Sequence, residues 1–377
     1  MTEKKEQILK NVQQIVGRVQ HYQWGGSEGC MVSTMTSCKE GPFAEIWYGS
    51  HKRLPSFLYG TEEPLEFELP FLLKFLSINK PLSLQIHPDK QIAERLFKED
   101  PVHYIDPNAK PEVCVPLTEF HCFLGYLDNE SLHLQMEDNP PVKKILGWTE
   151  QSEIYDSLMK AHSLSKETVK EYIVEMKSFL KEKQEKGEQL SKHQEIFDNL
   201  HKNFGDDVGL ILYFFLRYEI FQPYDAFFIT PNHPHGYISG ECVEAMISSD
   251  NVIRFGLTPK FCDLNALKYI DHPHHQHRVR EVEKCSTRLY SKQGLAAESI
   301  RYVNPIPHLN DFTITLYKMN EDCSIEIVLP TVSLFVLFEG EIEINGEVHV
   351  KGDSFLIQPK VLFTLKSTTV SKMVVLN

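Results

Sequence analysis

The stretch Pro81-Leu82-Ser83-Leu84-Gln85-Ile86-His87-Pro88-Asp89-Lys90 decides the fold. Leu82, Leu84 and Ile86 alternate with Ser83, Gln85 and His87, and a period of two is the signature of a β-strand. Side chains two apart on a strand share a face, so Ser83, Gln85 and His87 point the same way. One strand face thus offers an amide oxygen and an imidazole, which suits a metal ion. Taken alone, a histidine at a strand end is more often a hydrogen-bonded packing residue than a ligand.

The same texture extends outward. From about Val19 to Tyr126, short apolar runs such as 71–76 and 113–117 are broken by Pro and Gly turns, as in a barrel or sandwich. From 129 to 218 the period changes. Val169, Tyr172, Ile173, Met176, Phe179 and Leu180 fall at helical spacing, and Ile196, Leu200 and Phe204 continue an i, i+4 stripe. Asp206-Asp207 then precede an apolar run, 208–215, that reads as a buried helix or strand. The polar stretch 181–192 reads as a solvated helix end or loop. Strand texture returns at Ala226 and fills the C-terminal part at 313–317, 324–328, 333–338, 341–344, 347–350, 354–357 and 372–375. Turns there fall at Phe338-Glu339-Gly340 and Asn345-Gly346. Residues 1–16 are charged and read as a short helical or frayed lead-in.

Composition narrows the function. The chain has 377 residues and a formal charge of −13, so it repels a phosphate backbone and is expected to bind no nucleic acid. An anion would need a local basic pocket. The eight cysteines include no Cys-x-x-Cys pair, which points to free thiols in a reducing compartment. The N-terminus has no apolar signal region and no run approaches a membrane span. The expected location is therefore the cytosol, with no membrane partner.

Two further groups carry chemistry. Lys110-Pro111-Glu112 opens another apparent strand, and Pro111 makes an extended approach that would aim Glu112 into a pocket. His235 lies in Pro231-Asn232-His233-Pro234-His235-Gly236-Tyr237, read as a turn after a strand. Gln85, His87, Glu112 and His235 offer two imidazoles and two oxygens, a set that suits Zn²⁺ and also admits Co²⁺, Mn²⁺ or Fe²⁺. With no thiolate, a site that keeps a position for water or substrate is favoured over a structural zinc. The second group is Glu244, Asp250, Arg254 and Lys260, close in sequence behind His235. A carboxylate there could shuttle a proton, and the two cations could hold a phosphate. By itself this segment reads as a surface loop with routine ion pairs.

Six stretches resemble type I phosphomannose isomerases (mannose-6-phosphate isomerases). They are His21-Tyr22-Gln23-Trp24-Gly25, Phe43-Ala44-Glu45-Ile46-Trp47-Tyr48-Gly49-Ser50-His51, 81–90, Lys110-Pro111-Glu112, 231–244 and 249–260. They run in family order through about two thirds of the chain. The resemblance implies a zinc-dependent aldose–ketose isomerase of mainly β, cupin-like (jelly-roll) barrels with a helical insertion. On it, residues 1–128 and 219–290 form the metal-binding catalytic domain, 129–218 the insertion, and 291–377 a second cupin-like domain. The implied zinc ligands, for one ion per chain, are Gln85, His87, Glu112 and His235. Arg254 matches the family's catalytic arginine, and Lys110, Glu244 and Asp250 match positions with acid–base roles. Ser83 and Lys260 fall where the phosphate is held, and Tyr237 matches a tyrosine beside the last ligand. The implied substrates are mannose 6-phosphate and fructose 6-phosphate, feeding GDP-mannose synthesis, and a monomer is expected. Two departures stand out: Ala109 replaces the usual histidine of Asn-His-Lys-Pro-Glu, and His235-Gly236-Tyr237 replaces His-Ala-Tyr.

The chemistry suits the residues. Isomerisation moves a proton between C1 and C2 through an enediol, so a base must take and return it while cations anchor the phosphate. The rival readings are a non-catalytic relative and an Fe²⁺ cupin oxygenase. Retention of Arg254, Lys260 and Glu244 beside four ligands argues against the first, and Gln85 with the cationic region argues against the second. The tract His272-Pro273-His274-His275-Gln276-His277 reads as a polar connector, His51 as a residue supporting the site, and Trp24 and Trp47 as core or pocket wall.

Overall fold

A computed structural model describes residues 11–65, 68–270, 283–291, 294–303 and 312–377. The histidine tract at 272–277 lies outside them. The architecture is mainly β, in three sheets. The sheets face one another as sandwiches, and among the described residues none closes on itself as a barrel.

The Phe71–Ile78 strand is the centre of the molecule and is buried along its whole length. Leu73 and Phe75 face one way, into a cluster with Leu334, Val336, Phe338, Val374 and Leu376 of the C-terminal sheet. Phe75 and Phe338 meet with ring centroids 5.8 Å apart. Burying one such ring contributes about 1.5–3 kcal/mol, so this apolar seam joins the two β regions. Leu76 and Ile78 face the other way, with Phe120, Phe227 and Tyr237.

Antiparallel to this strand runs His235–Ile247, which serves two sheet surfaces. Its second half pairs with Phe71–Ile78 on one side and Glu112–Pro116 on the other. Its first residues pair instead with Phe120–Tyr126 and, at His235, with Gln85. The change of partner falls at a register shift between Tyr237 and Ser239 and at Gly240, where φ is 121° and an added Cβ would lie 2.8 Å from Glu119 O. Such a bulge and glycine let one strand turn a corner between sheets.

The segment read as helical carries helices Asn129–Glu137, Pro140–Leu146, Ile154–His162, Lys166–Glu185 and Lys192–Phe204. Asp128, Ser165 and Ser191 cap three of them. Met176, Phe197 and Leu200 pack in one cluster with Leu84, Ile86, Ile253 and Phe255, so the helices cover the back of the strand pair Leu84–Ile86 and Ile253–Gly256. The ambiguous run after Asp207 is a short helix, Gly209–Leu212, followed by a turn of 3₁₀ helix, Tyr213–Phe215. The 181–192 stretch is a helix end and loop, mostly exposed as expected; the exception is Lys183, which is buried and donates to Asp138 Oδ1 at 2.7 Å.

In the C-terminal part, Ser324–Val328, Glu341–Ile344, Glu347–Val350 and Ser354–Ile357 are strands with the expected ends. A four-stranded sheet packs through Ile325, Ile342, Phe363 and Leu365 on an eight-stranded one. The lead-in departs from expectation. Val12–Val16 is a strand inserted between Ser354–Ile357 and Phe57–Leu58, at the far end of the eight-stranded sheet. Val12 and Ile15 are its buried residues and lie on opposite faces, in two different clusters of the core. Among the described residues no helix is long and apolar enough to cross a membrane.

Candidate metal centre and cleft

Two turns bring the histidines together. Asp89 caps the helix Lys90–Glu99 by accepting from Ile92 N, and also accepts from Asn232 Nδ2 at 2.8 Å. Asn232, with a positive φ of 64°, returns its Oδ1 to Asp89 N and donates its N–H to His87 O at 2.6 Å. The turn before His235 is thereby tied to the end of the Gln85–His87 strand. His235, Gln85 and Arg254 then lie directly opposite one another on three neighbouring strands, so their side chains share a face.

His87, Glu112 and His235 place one ligand-type atom each within 4.8 Å of the others, all buried. His87 Nε2 is 3.4 Å and His235 Nε2 3.9 Å from Glu112 Oε2. Each histidine donates from Nδ1 to a backbone carbonyl, His87 to Asn251 O at 2.9 Å and His235 to His233 O at 3.0 Å. That fixes the tautomer and aims both Nε2 lone pairs at Glu112. His87 Nε2 is buried without a hydrogen-bond partner, a cost of about 1–3 kcal/mol for a polar atom that a cation would remove. The Gln85 amide lies 3.2 Å from His235 Nε2 and presents its oxygen there by rotating half a turn. These donors fit a divalent metal of the zinc type.

The electrostatics agree. Burial, with His87 alongside, pushes His235 down to about 3, and burial likewise lowers His87, so both rings are neutral as ligation requires. Burial works against the Glu112 carboxylate, yet His87 and Lys110 hold its pKa well below the ordinary value. Because burial also keeps His87 neutral, the Lys110 ammonium, 3.4 Å from Oε1, is the charge that holds the carboxylate ionised.

A cleft of about 790 Å³ opens over this cluster. Ser83, Gln85, Lys110, Glu112, Tyr237, Glu244, Asp250, Arg254 and Lys260 line it, while His87 and His235 lie beneath with no exposed surface. Glu244 is thus no surface-loop residue. It sits inside the His235–Ile247 strand, buried, accepting from Tyr237 Oη at 2.9 Å and pairing with Lys74 at 3.2 Å. Burial and the Glu112 and Glu45 carboxylates raise it to about 6, against Lys74 and Lys110. Burial works against the Lys74 charge, but Glu244, Glu45 and Glu112 more than offset this and hold it charged. Asp250 has one oxygen 3.5 Å from His51 Nε2 and the other 3.3 Å from Arg53. Arg254 and Lys260 form no ion pair among the described residues. Partial burial and the Arg254 charge push Lys260 down, and its Nζ stands 5.5 Å over the Tyr22 ring.

Lys74 escaped the sequence reading, although its signal was present: a lysine in the middle of the apolar run Phe71-Leu72-Leu73-Lys74-Phe75-Leu76 needs a buried partner. Trp47, Lys74 and Glu244 sit directly opposite one another on three adjacent strands. The Trp47 indole donates to Glu45 and its ring lies 5.0 Å from Lys74 Nζ. Lys202, Asn203 and Phe204, at the end of a helix of the 129–218 segment, also reach the cleft wall, and no local pattern announces them.

A β-sandwich carrying a buried His-Glu-His cluster under a cleft with unpaired cations defines a cupin-like metal-binding enzyme. Residues 58–128 match the model of the phosphomannose isomerase type I catalytic domain. Mannose-6-phosphate isomerase of Schizosaccharomyces pombe is 29% identical over 86% of this chain and 85% of its own length. The human mannose-6-phosphate isomerase is 31% identical over 66% of this chain and 70% of its own length. A crystal structure of mannose 6-phosphate isomerase bound with zinc and yttrium has a TM-score of 0.80 at 22% identity, covering 97% of this chain and 99% of that one. The apo form from Salmonella typhimurium also has a TM-score of 0.80, at 21% identity, over 97% of this chain and 98% of that one. The chain belongs to the type I phosphomannose isomerase family.

Proposed function

We propose that this chain interconverts D-mannose 6-phosphate and D-fructose 6-phosphate, with one zinc ion per chain held by Gln85, His87, Glu112 and His235. In the cell this would supply mannose for GDP-mannose synthesis and glycosylation, in the cytosol and as a monomer. The observation that carries the reading is the meeting, in one cleft, of the buried His87–Glu112–His235 cluster with the unpaired Arg254 and Lys260. Zinc, when bound, supplies a Lewis acid that stabilises negative charge on the sugar's oxygens.

The chain's own groups do the rest. Lys260 and Ser83 hold the phosphate, so binding energy far from the reacting carbons positions C1 and C2. Arg254 shares the phosphate and offers its guanidinium to the developing enediolate. A base that works near neutrality is most effective with a pKa close to the working pH. Glu244, raised to about 6 and hydrogen-bonded to Tyr237, meets that condition. Lys110 and Asp250 stand on the cleft wall for proton return. Residues 129–218 act as an insertion into a catalytic unit of 1–128 and 219–290, with 291–377 as a second cupin-like unit.

The test is to measure metal content and mannose 6-phosphate turnover for the wild type and Arg254→Ala. Metal-loaded wild-type protein with no turnover ends the enzyme reading. Normal turnover in Arg254→Ala ends only that residue's role.

A further inference from the structure

Beside the cleft, one carboxylate outside the proposed chemistry is shared by two distant chain segments. Asp106 Oδ1 accepts from Asn108 N at 2.9 Å, Ser249 Oγ at 2.9 Å and Asn251 Nδ2 at 3.2 Å, and Oδ2 accepts from Asp250 N at 3.1 Å. Asn251 Nδ2 also donates to Asp106 O at 2.8 Å and to Asn108 O at 2.9 Å. Asn108 leads directly into the Lys110-Pro111-Glu112 segment. Asn251 is fully buried, and its carbonyl is the acceptor that fixes the His87 ring. One side chain therefore joins the segment carrying Glu112 to the segment carrying Asp250 and the support of His87.

We infer that Asp106 is a positioning residue that sets two things through separate oxygens. Oδ1, through Asn251, holds the carbonyl that orients His87 toward the metal. Oδ2, through Asp250 N, holds the backbone that presents the Asp250 carboxylate to the cleft. The Asp250 half rests on the function proposed above, whereas the His87 half stands on geometry alone. Partners of this kind, which orient a ligand without touching the ion, typically change metal affinity or activity by about 10–100-fold when removed.

Two substitutions separate the halves. In Asp106→Asn the amide oxygen takes the Oδ1 position, where three donors converge, and the NH₂ group then confronts Asp250 N–H, donor against donor. Asp106→Ala removes both supports. The full-length variants are titrated with zinc alone against a chromophoric chelator, and kcat and KM for mannose 6-phosphate are measured on the loaded proteins. Zinc affinity is expected to fall ~10–100-fold in Asp106→Ala and to stay within a few-fold of wild type in Asp106→Asn. Both variants are expected to lose kcat ~10-fold or more with KM little changed. A purely structural role would lower the melting temperature of both while leaving zinc affinity and kcat of the folded fraction at wild-type values, and that result overturns the inference. Should Asp106→Ala fail to fold, Asp106→Asn decides the Asp250 half, which wild-type kcat in that variant overturns, and Asn251→Asp, which alters the link from Oδ1 to the His87 support, decides the other, which wild-type zinc affinity overturns. A wild type inert toward mannose 6-phosphate ends the functional reading instead, and zinc affinity unchanged in folded Asp106→Ala would then still overturn the His87 half.

Discussion

Lys74→Met tests whether the ion pair beneath the cleft is an electrostatic device or simple packing. Methionine keeps the stem against Trp47 and removes only the ammonium. At the observed 3.2 Å the Lys74–Glu244 attraction is roughly 5 kcal/mol at an effective dielectric of about 20. Its loss leaves the carboxylate 4% exposed, with Tyr237 Oη as its hydrogen-bond donor. Breaking a buried pair from one side costs about 3–5 kcal/mol. Glu244 has one escape, protonation. Its pKa, already about 6, rises further once Lys74 is gone. A carboxyl with a folded pKa above its unfolded value binds its proton more tightly when folded, so it loses stability as pH rises. The deficit of the variant relative to wild type should therefore be largest on the alkaline side. Urea unfolding at pH 8 is expected to show a loss of about 3–5 kcal/mol, shrinking to about 1–2 kcal/mol at pH 5.5. Adding Glu244→Gln should recover most of the loss at pH 8. A deficit below about 1 kcal/mol that is equal at both pH values would refute the reasoning.

Two other predictions concern the helical region. His193 is buried among Tyr213, Phe214 and Phe123, donates to Leu216 O at 2.7 Å, and is pushed down to about 4 by burial. The unfolded chain takes up that proton below about pH 6.5 and the folded one does not, so stability present above 6.5 is lost toward pH 4, by up to about 1.4 kcal/mol per pH unit. His193→Gln, which keeps a donor for Leu216 O, should flatten the acid limb of a melting-temperature profile; an unchanged limb contradicts the assignment. At Gly209 the helical region touches the loop that carries Lys260: an added Cβ would stand 2.2 Å from Leu257 N, and Asp207 Oδ1 bridges Gly209 N and Leu257 N at 2.6 and 2.7 Å. Gly209→Ala should displace the loop leading to Lys260, raising KM for the sugar phosphate ~10-fold or more with a smaller effect on kcat; steady-state kinetics with unchanged KM would count against it.

What could be read in advance was local. The Leu84–Ile86 strand announced itself by alternation, and the C-terminal hairpin by Asn345-Gly346, because two-residue turns and strand faces are determined over a few residues. The candidate ligand set could be named from its residue types, but its members were tied together only by the match to a family, since nothing in the spacing of Glu112 and His235 indicates that they meet. The turn before His235 is held to the His87 strand end by Asn232 reaching Asp89 and His87 across the chain. The helix Lys90–Glu99 was hidden behind the Pro88-Asp89 turn, although Asp89 followed by Ile92, Ala93 and Leu96 carried its cap and buried face. Lys74 was overlooked because the run around it reads as apolar. The fate of Val12–Val16 could not be read from its neighbours, since its longer pairing is with Ser354–Ile357, more than 300 residues on.

That last pairing bears on how the protein is made. Ser354 Oγ donates to Ile15 O across 339 residues. At translation rates of about 5–20 residues per second, the N-terminal strand waits roughly 17–70 s for its partner to be synthesised. Through that interval Val12–Val16 has only the two-residue strand Phe57–Leu58 to pair with, and its other edge is exposed to chaperones and to neighbouring nascent chains. Completion of the eight-stranded sheet is thus a late, post-synthetic event. A C-terminal fragment expressed alone would emerge with an open slot beside Ser354–Ile357, which a peptide spanning Val12–Val16 could fill.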